Sequence, residues 1–184
     1  MAQKETLSSL TNGNFAKELS IADGKMPPNA LDFERLVIGT FLIDKKGLDH
    51  SIDLLTPEVF YNPRHQVIFS TILKLYEGNQ PVDLMTIIQE LKKEGKLSSA
   101  GGDSYIIDLT MGVSSSAHIE YHVRVILEKY ILRSLINVSA NVIDASYKES
   151  TDVFELLDKA EQSFFEITNG TIKKGFDKIG RAHV

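Results

Sequence analysis

The chain contains no cysteine among its 184 residues, so disulfide bonds, cysteine-ligated metals and iron–sulfur clusters are excluded. This absence fits a reducing compartment, and we predict a cytoplasmic protein. No block of Lys or Arg exceeds two residues, and 20 basic against 25 acidic residues give a net charge of −5. We therefore do not expect this segment to bind nucleic acid phosphates directly. The chain also lacks an apolar run near the ~18 residues that a membrane span needs, so no membrane partner is expected.

Motifs for catalysis and for nucleotide or metal binding are missing too. The dipeptides Gly24-Lys25 and Gly95-Lys96 are not followed by Ser or Thr, and neither has the earlier glycine of a phosphate loop. His118 and His122 share a helix face, but Glu120 does not directly follow the first histidine, as the metalloprotease motif requires. We interpret both as surface or interface histidines rather than metal ligands. No catalytic, cofactor-binding or metal-binding residue is predicted in this chain.

What the chain does contain is a series of helix patterns, each with a start signal, an apolar stripe and a stop. Asn29, Thr56, Asn62 and Asp83 are predicted to cap four of these helices, and the prolines that follow Thr56 and Asn62 suit the first helical position. No extended β-alternation appears, so the sequence predicts an all-α fold with a small globular head. Gly39 lies inside the first helix, which is unfavourable unless another helix approaches closely there.

The C-terminal third differs, because residues 117–147 contain neither proline nor glycine and predict a long helix that protrudes from the head. A second amphipathic helix follows after Ser150 and ends at Gly170. Two apolar stripes run along the long helix. Both could be core, one against the head and one against the following helix, or one could be left for a second copy of the chain. The predicted self-association interface consists of Ile119, Val123, Ile126, Tyr130 and Ile131.

The sequence further predicts five segments. Residues 1–26 are expected to be a disordered tail, residues 27–148 the main domain, and residues 149–170 the amphipathic helix that completes it. Residues 171–178 resemble the start of a linker. The last six residues, IGRAHV, are what one reading frame of a common sequencing adapter would encode, so we expect residues 179–184 to be an artefact.

Several segments in a fixed order carry a family resemblance: ALDFERLVIGTFLID, then LTPEVFYNPRHQVIFSTILKLYEGNQPVDLMTIIQEL, then GKLSSAGGDSYIIDLT, then AHIEYHVRVILEKYILRSLI. The most specific features are Phe60-Tyr61 followed by His65, the QPVDLMTI junction, and Gly101-Gly102 with Tyr105. In this order they resemble the N-terminal domain of bacterial replicative DNA helicases, the DnaB family. The resemblance extends from about Pro27 to Gly170.

The resemblance implies a helical head with a protruding hairpin, and hairpins that pair between subunits so that six copies form a collar of three dimers. It also implies primase and a helicase loader as partners. The family's ATPase domain uses ATP and Mg²⁺ and contacts DNA, and this sequence stops before that domain, so the segment alone should be inactive. A free-standing helical adaptor or loader-like protein without a motor remains the alternative.

Overall fold

The computed structural model describes residues 26–113 and 115–169. That part of the chain forms α-helices and two short 3₁₀ helices, with no strand, so the prediction of an all-α fold is confirmed. The α-helices are α1 (Leu31–Ile43), α2 (Lys45–Ser51), α3 (Pro63–Glu77), α4 (Leu84–Lys93), α5 (Gly102–Met111), α6 (Ile119–Ser146) and α7 (Val153–Ile167). The 3₁₀ helices, Ile52–Leu54 and Pro57–Val59, lie between α2 and α3.

Two of the four predicted N-caps are confirmed. Thr56 is not, since it precedes the 3₁₀ helix Pro57–Val59 but its side chain makes no capping hydrogen bond. The side chains of Asn62 and Asp83 accept hydrogen bonds from backbone N–H groups in the first turns of α3 and α4. The prediction for Asn29 is wrong. Its amide donates to the carbonyl of Pro27, and α1 begins after Ala30 without a side-chain cap. Local turn formation competes with capping for short polar side chains, and here the turn prevails.

The core of the head is built around α1, which packs against α3, α5 and α6. Six consecutive residues of α1, from Val37 to Leu42, are buried. Gly39 explains how α5 comes so close, since a Cβ atom at this position would lie 2.0 Å from the carbonyl oxygen of Leu109. The predicted close approach at Gly39 is thus confirmed. Next to α1, the rings of Phe60 and Phe69 lie 5.0 Å apart in the same core.

Helix α6 belongs both to the head and to a projection from it. Its 28 residues span about 42 Å, and its buried residues all lie in the N-terminal third. Helix α7 packs against α6 and contains no fully buried residue. We call the described chain from Ile131 onward the hairpin, and the described chain before it the head. In the described residues, no helix has both the length and the apolar character to cross a bilayer.

Some of the predicted segments lie outside the described residues. These are the tail apart from Met26, the linker and the six terminal residues. The two predicted C-terminal helices are confirmed with shorter bounds. The first begins at Ile119 rather than near Ala117, and the second ends at Ile167 rather than at Gly170. The start of a linker helix therefore stays a prediction, as does the division into segments.

Candidate interaction surface of the helical hairpin

A buried polar cluster joins α1, α3 and α5 beneath the surface of the head. The carboxylate of Glu34 accepts hydrogen bonds from the backbone N–H groups of Tyr61 (2.7 Å) and Asn62 (3.2 Å). It lies 2.7 Å from Nδ1 of His65, whose Nε2 lies 2.7 Å from the hydroxyl of Tyr105. All of these contacts are satisfied when Nδ1–H of His65 donates to Glu34 and the tyrosine hydroxyl donates to Nε2. The cluster thus fixes the start of α3 against α1 and α5.

Arg133 is a second polar group, half-buried at the point where α6 leaves the head. Its guanidinium donates to the backbone carbonyls of Pro28 (2.9 Å) and Val59 (2.7 Å). The rings of Tyr61 and Tyr130 lie 5.5 and 5.7 Å from the guanidinium carbon. Burial lowers the pKa of Arg133 from its ordinary value, since the charged form loses hydration there. The side chain therefore attaches the long helix to two loops of the head.

Neither polar group has the accessibility that catalysis requires. The side chains of Glu34 and His65 are each about 1% exposed, so a substrate has no route to the imidazole or the carboxylate. Lys96 belongs to the Gly95-Lys96 dipeptide, which lacks the phosphate-loop pattern. Its ammonium group pairs with Glu94 at 2.9 Å on the surface. Within the ranges 26–113 and 115–169, no three His, Asp or Glu side chains are grouped so that they could hold a metal ion. We interpret both the Glu34 cluster and Arg133 as structural groups that hold the helices of the head together.

The histidine pair of the HIEYH segment lies on the head at the start of α6. His118 is the exposed N-cap residue of α6, and its side chain makes no capping hydrogen bond. His122 is half-buried, with its ring 5.4 Å from that of Phe33 and 6.0 Å from that of Tyr121. Burial lowers the pKa of His122, and the nearby His118 adds to the effect. His122 thus belongs to an aromatic contact between α1 and α6, whereas His118 lies on the surface.

The structure corrects the predicted self-association interface. Ile119, Val123 and Ile126 are 6%, 0% and 1% exposed and form part of the head core, so they cannot face a second copy. Tyr130 is partly buried against the same core, and burial raises the pKa of its hydroxyl. The physical reason is that the head covers the N-terminal third of α6 completely. The apolar stripe that was predicted to be uncovered is therefore part of the head core along this part of α6.

Ile131, the fifth predicted residue, lies elsewhere. It is half-buried together with Val138 and Val142, and the helical period places these three residues on one face of α6. Helix α7 presents a matching half-buried stripe: Leu156, Ala160, Ser163 and Ile167. Since α7 packs against α6, these two stripes form the seam of the hairpin. The second stripe of the long helix is therefore covered by the helix that follows it.

The uncovered apolar surface lies on the outer side of the hairpin. Of the seventeen exposed large hydrophobic side chains in the described residues, ten belong to the hairpin region from Leu132 onward. They are Leu132, Leu135, Ile136, Ile143 and Tyr147 of α6 and its C-terminal end, and Val153, Phe154, Leu157, Phe164 and Phe165 of α7. We call this set the hairpin face. So many large exposed side chains on one helical hairpin indicate an interaction surface.

Part of the hairpin face extends across both helices. On α6, the stripe that contains Ile136 and Ile143 lies roughly a third of a turn from the seam. On α7, Leu157 and Phe164 lie on the corresponding flank of its own seam stripe. The six residues 147–152 reverse the chain between the two helices. In an antiparallel pair these flanks point to the same side. Sequence periodicity alone missed the face because it does not show which stripe a neighbour covers.

Comparisons with known proteins place this architecture in a family. The replicative DNA helicase DnaB of Rhodothermus marinus is 40% identical over 151 residues, which is 82% of this chain and 16% of that protein. The crystal structure of the N-terminal domain of DnaB helicase from Mycobacterium tuberculosis superposes with a TM-score of 0.72 at 32% identity. It covers 77% of this chain and 99% of that one. A further structure, of a DnaB-like replicative helicase and its interactions with primase, has a TM-score of 0.60 at 25% identity. It covers 73% of this chain and 31% of that one.

The chain spans between 16% and 35% of the length of four curated relatives that it matches. The match lies in their helical N-terminal part, as the solved N-terminal domain shows. Residues 26–128, more than half of the chain, match the model of the DnaB-like helicase N terminal domain. The matched residues cover most of the head, including the start of the long helix. This chain belongs to the DnaB-like helicase N-terminal domain family.

Proposed function

We propose that this chain is the collar domain of a hexameric replicative DNA helicase, and that its hairpin organises the ring. The observation that carries the proposal is the hairpin face, whose ten large apolar side chains are exposed in the described chain. Burying one such side chain contributes about 1.5 to 3 kcal/mol. A twofold contact uses each residue twice, so two hairpins that pack face to face recover a large part of this energy. The dimer formed in this way is the repeating unit of the collar.

The proposal extends to the protein's partners. The similar helicase whose structure was solved has interactions with primase, and we propose that primase binds the collar of this protein too. A motor domain of the same protein would bind ATP and Mg²⁺ and contact the DNA, a loader would place the ring, and the assembly would act in the cytoplasm. The described residues contain no group that would duplicate the motor's chemistry, so the domain's contribution is assembly and recruitment.

Sedimentation velocity of the 184-residue chain tests self-association. We expect a dimer at micromolar concentration, because the loss of translational freedom and side-chain ordering oppose the apolar contact. Phe165→Asp places a charge on the hairpin face and should give a folded monomer. Met85→Asp is the matched control, since Met85 lies on the head and is 63% exposed against 65% for Phe165. Ile126→Asp should instead unfold the head, because Ile126 is core.

Two outcomes would contradict the self-association proposal. One is a wild-type chain that stays monomeric at about 100 μM, a concentration at which a contact worth roughly 6 kcal/mol is well populated. The other is a Phe165→Asp variant that still forms the dimer. A dimer that is lost equally in Met85→Asp would show that the head, not the hairpin, mediates the contact.

A pull-down with the helical C-terminal domain of the primase from the same organism tests recruitment. We expect retention above a bead control for the wild-type chain, and equal recovery on both would count against the proposal. Sequencing the gene past Lys178 separates the helicase from the adaptor alternative. A phosphate-loop motif downstream supports the helicase, whereas a stop codon supports the adaptor.

A further inference from the structure

The head carries a cluster of two arginines on one tyrosine, away from the hairpin. Arg35 extends from α1, Arg64 from the first turn of α3, and Tyr105 from α5. The guanidinium carbons lie 5.6 and 5.1 Å from the centre of the tyrosine ring. The two positive charges are therefore within about 11 Å of each other, at a distance where the like charges repel. Three separate helices converge to hold them together.

Contacts with His65 and Asn62 fix the position of the Tyr105 ring. Its hydroxyl lies 2.7 Å from Nε2 of the buried His65, and Nδ2 of Asn62 donates to the same oxygen at 3.4 Å. The ring is also nearly parallel to the imidazole of His65, at an angle of 16°. A surface aromatic ring with this support does not move freely. It gives both guanidiniums a defined position, which is what a binding site requires of its supporting residues.

Neither Arg35 nor Arg64 forms an ion pair with any described residue. Elsewhere on the head, Lys74 is bound by Glu90, and Lys92 pairs with Asp103 at 3.0 Å. Asp32 and Asp108 line a shallow cavity beside Arg35 but form no ion pair with it, so the planar forks of both guanidiniums stay available for an external anion.

We propose that this cluster is a docking point for an acidic peptide segment of a partner protein. A carboxylate fits each guanidinium in the bidentate manner, and adjacent acidic side chains of a peptide can reach both. A nucleic acid fits less well. The net charge of −5 and the absence of any Lys or Arg block longer than two residues disfavour the many contacts that a continuous phosphate backbone needs. The site is separate from the hairpin face, so it concerns an interaction beyond ring assembly.

Fluorescence anisotropy with fluorescein-labelled hexaglutamate tests the proposal on the whole chain. We expect saturable binding to the wild type that is at least tenfold weaker in R35Q/R64Q. The control K45Q/K46Q removes the same two charges from exposed residues of α2 and should bind as the wild type does. R35K/R64K keeps the charges but loses the planar forks, so it should also bind more weakly than the wild type. If R35Q/R64Q does not fold, the comparison of R35K/R64K with the wild type decides the test.

Three results would overturn the proposal. The first is the absence of saturable hexaglutamate binding to the wild type. The second is an equal loss of affinity in K45Q/K46Q, which would show that only net charge matters. The third is tighter binding of a twelve-nucleotide thymidine oligomer than of the peptide, with the same dependence on Arg35 and Arg64, which would make the cluster a nucleic acid site.

Discussion

The buried carboxylate of Glu34 should be among the most sensitive positions of the head. Its replacement by alanine removes the acceptor for three donors at once, namely the N–H groups of Tyr61 and Asn62 and Nδ1 of His65. The carboxylate and the imidazole are each about 1% exposed, so water cannot replace the lost contact between them. The substitution should therefore destabilise the junction between α1 and α3 and, through His65, the position of Tyr105.

The size of the effect follows from the burial. Each hydrogen bond to a charged group contributes about 1.5 to 3 kcal/mol, and a buried donor that is left without an acceptor adds about 1 to 3 kcal/mol. The three bonds do not simply add, because the N–H groups of the half-buried Tyr61 and Asn62 gain partial access to water. We expect Glu34→Ala to lower the free energy of unfolding by about 3 to 5 kcal/mol. For a domain of this size that corresponds to a fall in Tm of roughly 6 to 20 °C.

Urea denaturation followed by circular dichroism measures this loss. Glu34→Gln should be intermediate, because the amide keeps one acceptor oxygen but turns an NH₂ group toward another donor. Glu128→Ala is the control, since that carboxylate is 49% exposed in its pair with Arg124 and should change stability by less than about 1 kcal/mol. If Glu34→Ala costs less than about 1 kcal/mol, the cluster does not fix the junction and our reasoning is refuted.

Three further predictions concern packing, the junction of the hairpin and pH. Gly39→Ala should destabilise the fold by about 1 to 3 kcal/mol, although alanine has the better helix propensity. Gly112→Ala is the control and should be near neutral or stabilising, because no atom lies within 4 Å of the new Cβ. Thermal melting of the two variants measures the difference. Arg133→Met should cost about 2 to 4 kcal/mol in urea denaturation, because two buried carbonyls lose their donor; a loss below about 0.5 kcal/mol would contradict this. Hydrogen bonds from two lysine ammonium groups lower the pKa of Glu94 from 4.5 to about 2, so this carboxylate stabilises the fold above about pH 4.5 and its contribution disappears as pH falls toward 2. Glu94→Gln should therefore lose less stability than the wild type between about pH 5 and pH 2.5, and an equal loss would refute the assignment.

The helices were predictable because their signals are local. An N-cap acts within one turn of the helix start, as Asn62 does before Pro63 and Asp83 does before α4. A few consecutive residues therefore suffice to predict where such a helix begins. The close approach at Gly39 was predictable for a similar reason, since glycine inside an apolar helix is unfavourable without a compensating contact. Asn29 failed because its side chain had two local options, and only the three-dimensional turn decides between them.

The polar groups of the head were missed, although a signal was present. Glu34 precedes Val37, Ile38 and Phe41 by three, four and seven residues, so it lies on the apolar stripe of α1. Arg133 follows Ile126 by seven residues and so continues the buried stripe of α6. A charged residue at a stripe position predicts a buried charge with partners. Its partners are distant in sequence, however, and only the fold brings His65 to Glu34.

The interface was mislocated for a related reason. Periodicity correctly separated two apolar stripes on the long helix, but it does not measure how far along that helix the head extends. The head covers α6 through Leu127 and attaches it once more at Arg133. The exposed residues of α7, such as Phe154 and Phe165, are also too many for one helix face to bury against α6. The surface of the hairpin was therefore recognisable only after the packing was known.

The continuity of α6 has a mechanical consequence. One helix without glycine or proline runs from the head core into the hairpin, so it acts as a stiff lever with its pivot near Arg133. The arm beyond the pivot is 13 residues long, or about 20 Å. A rotation of the head by about 10° therefore displaces the far end by roughly 3.5 Å, enough to shift apolar side chains out of van der Waals contact with an opposing surface. Small reorientations of the head are thus amplified at the hairpin tip.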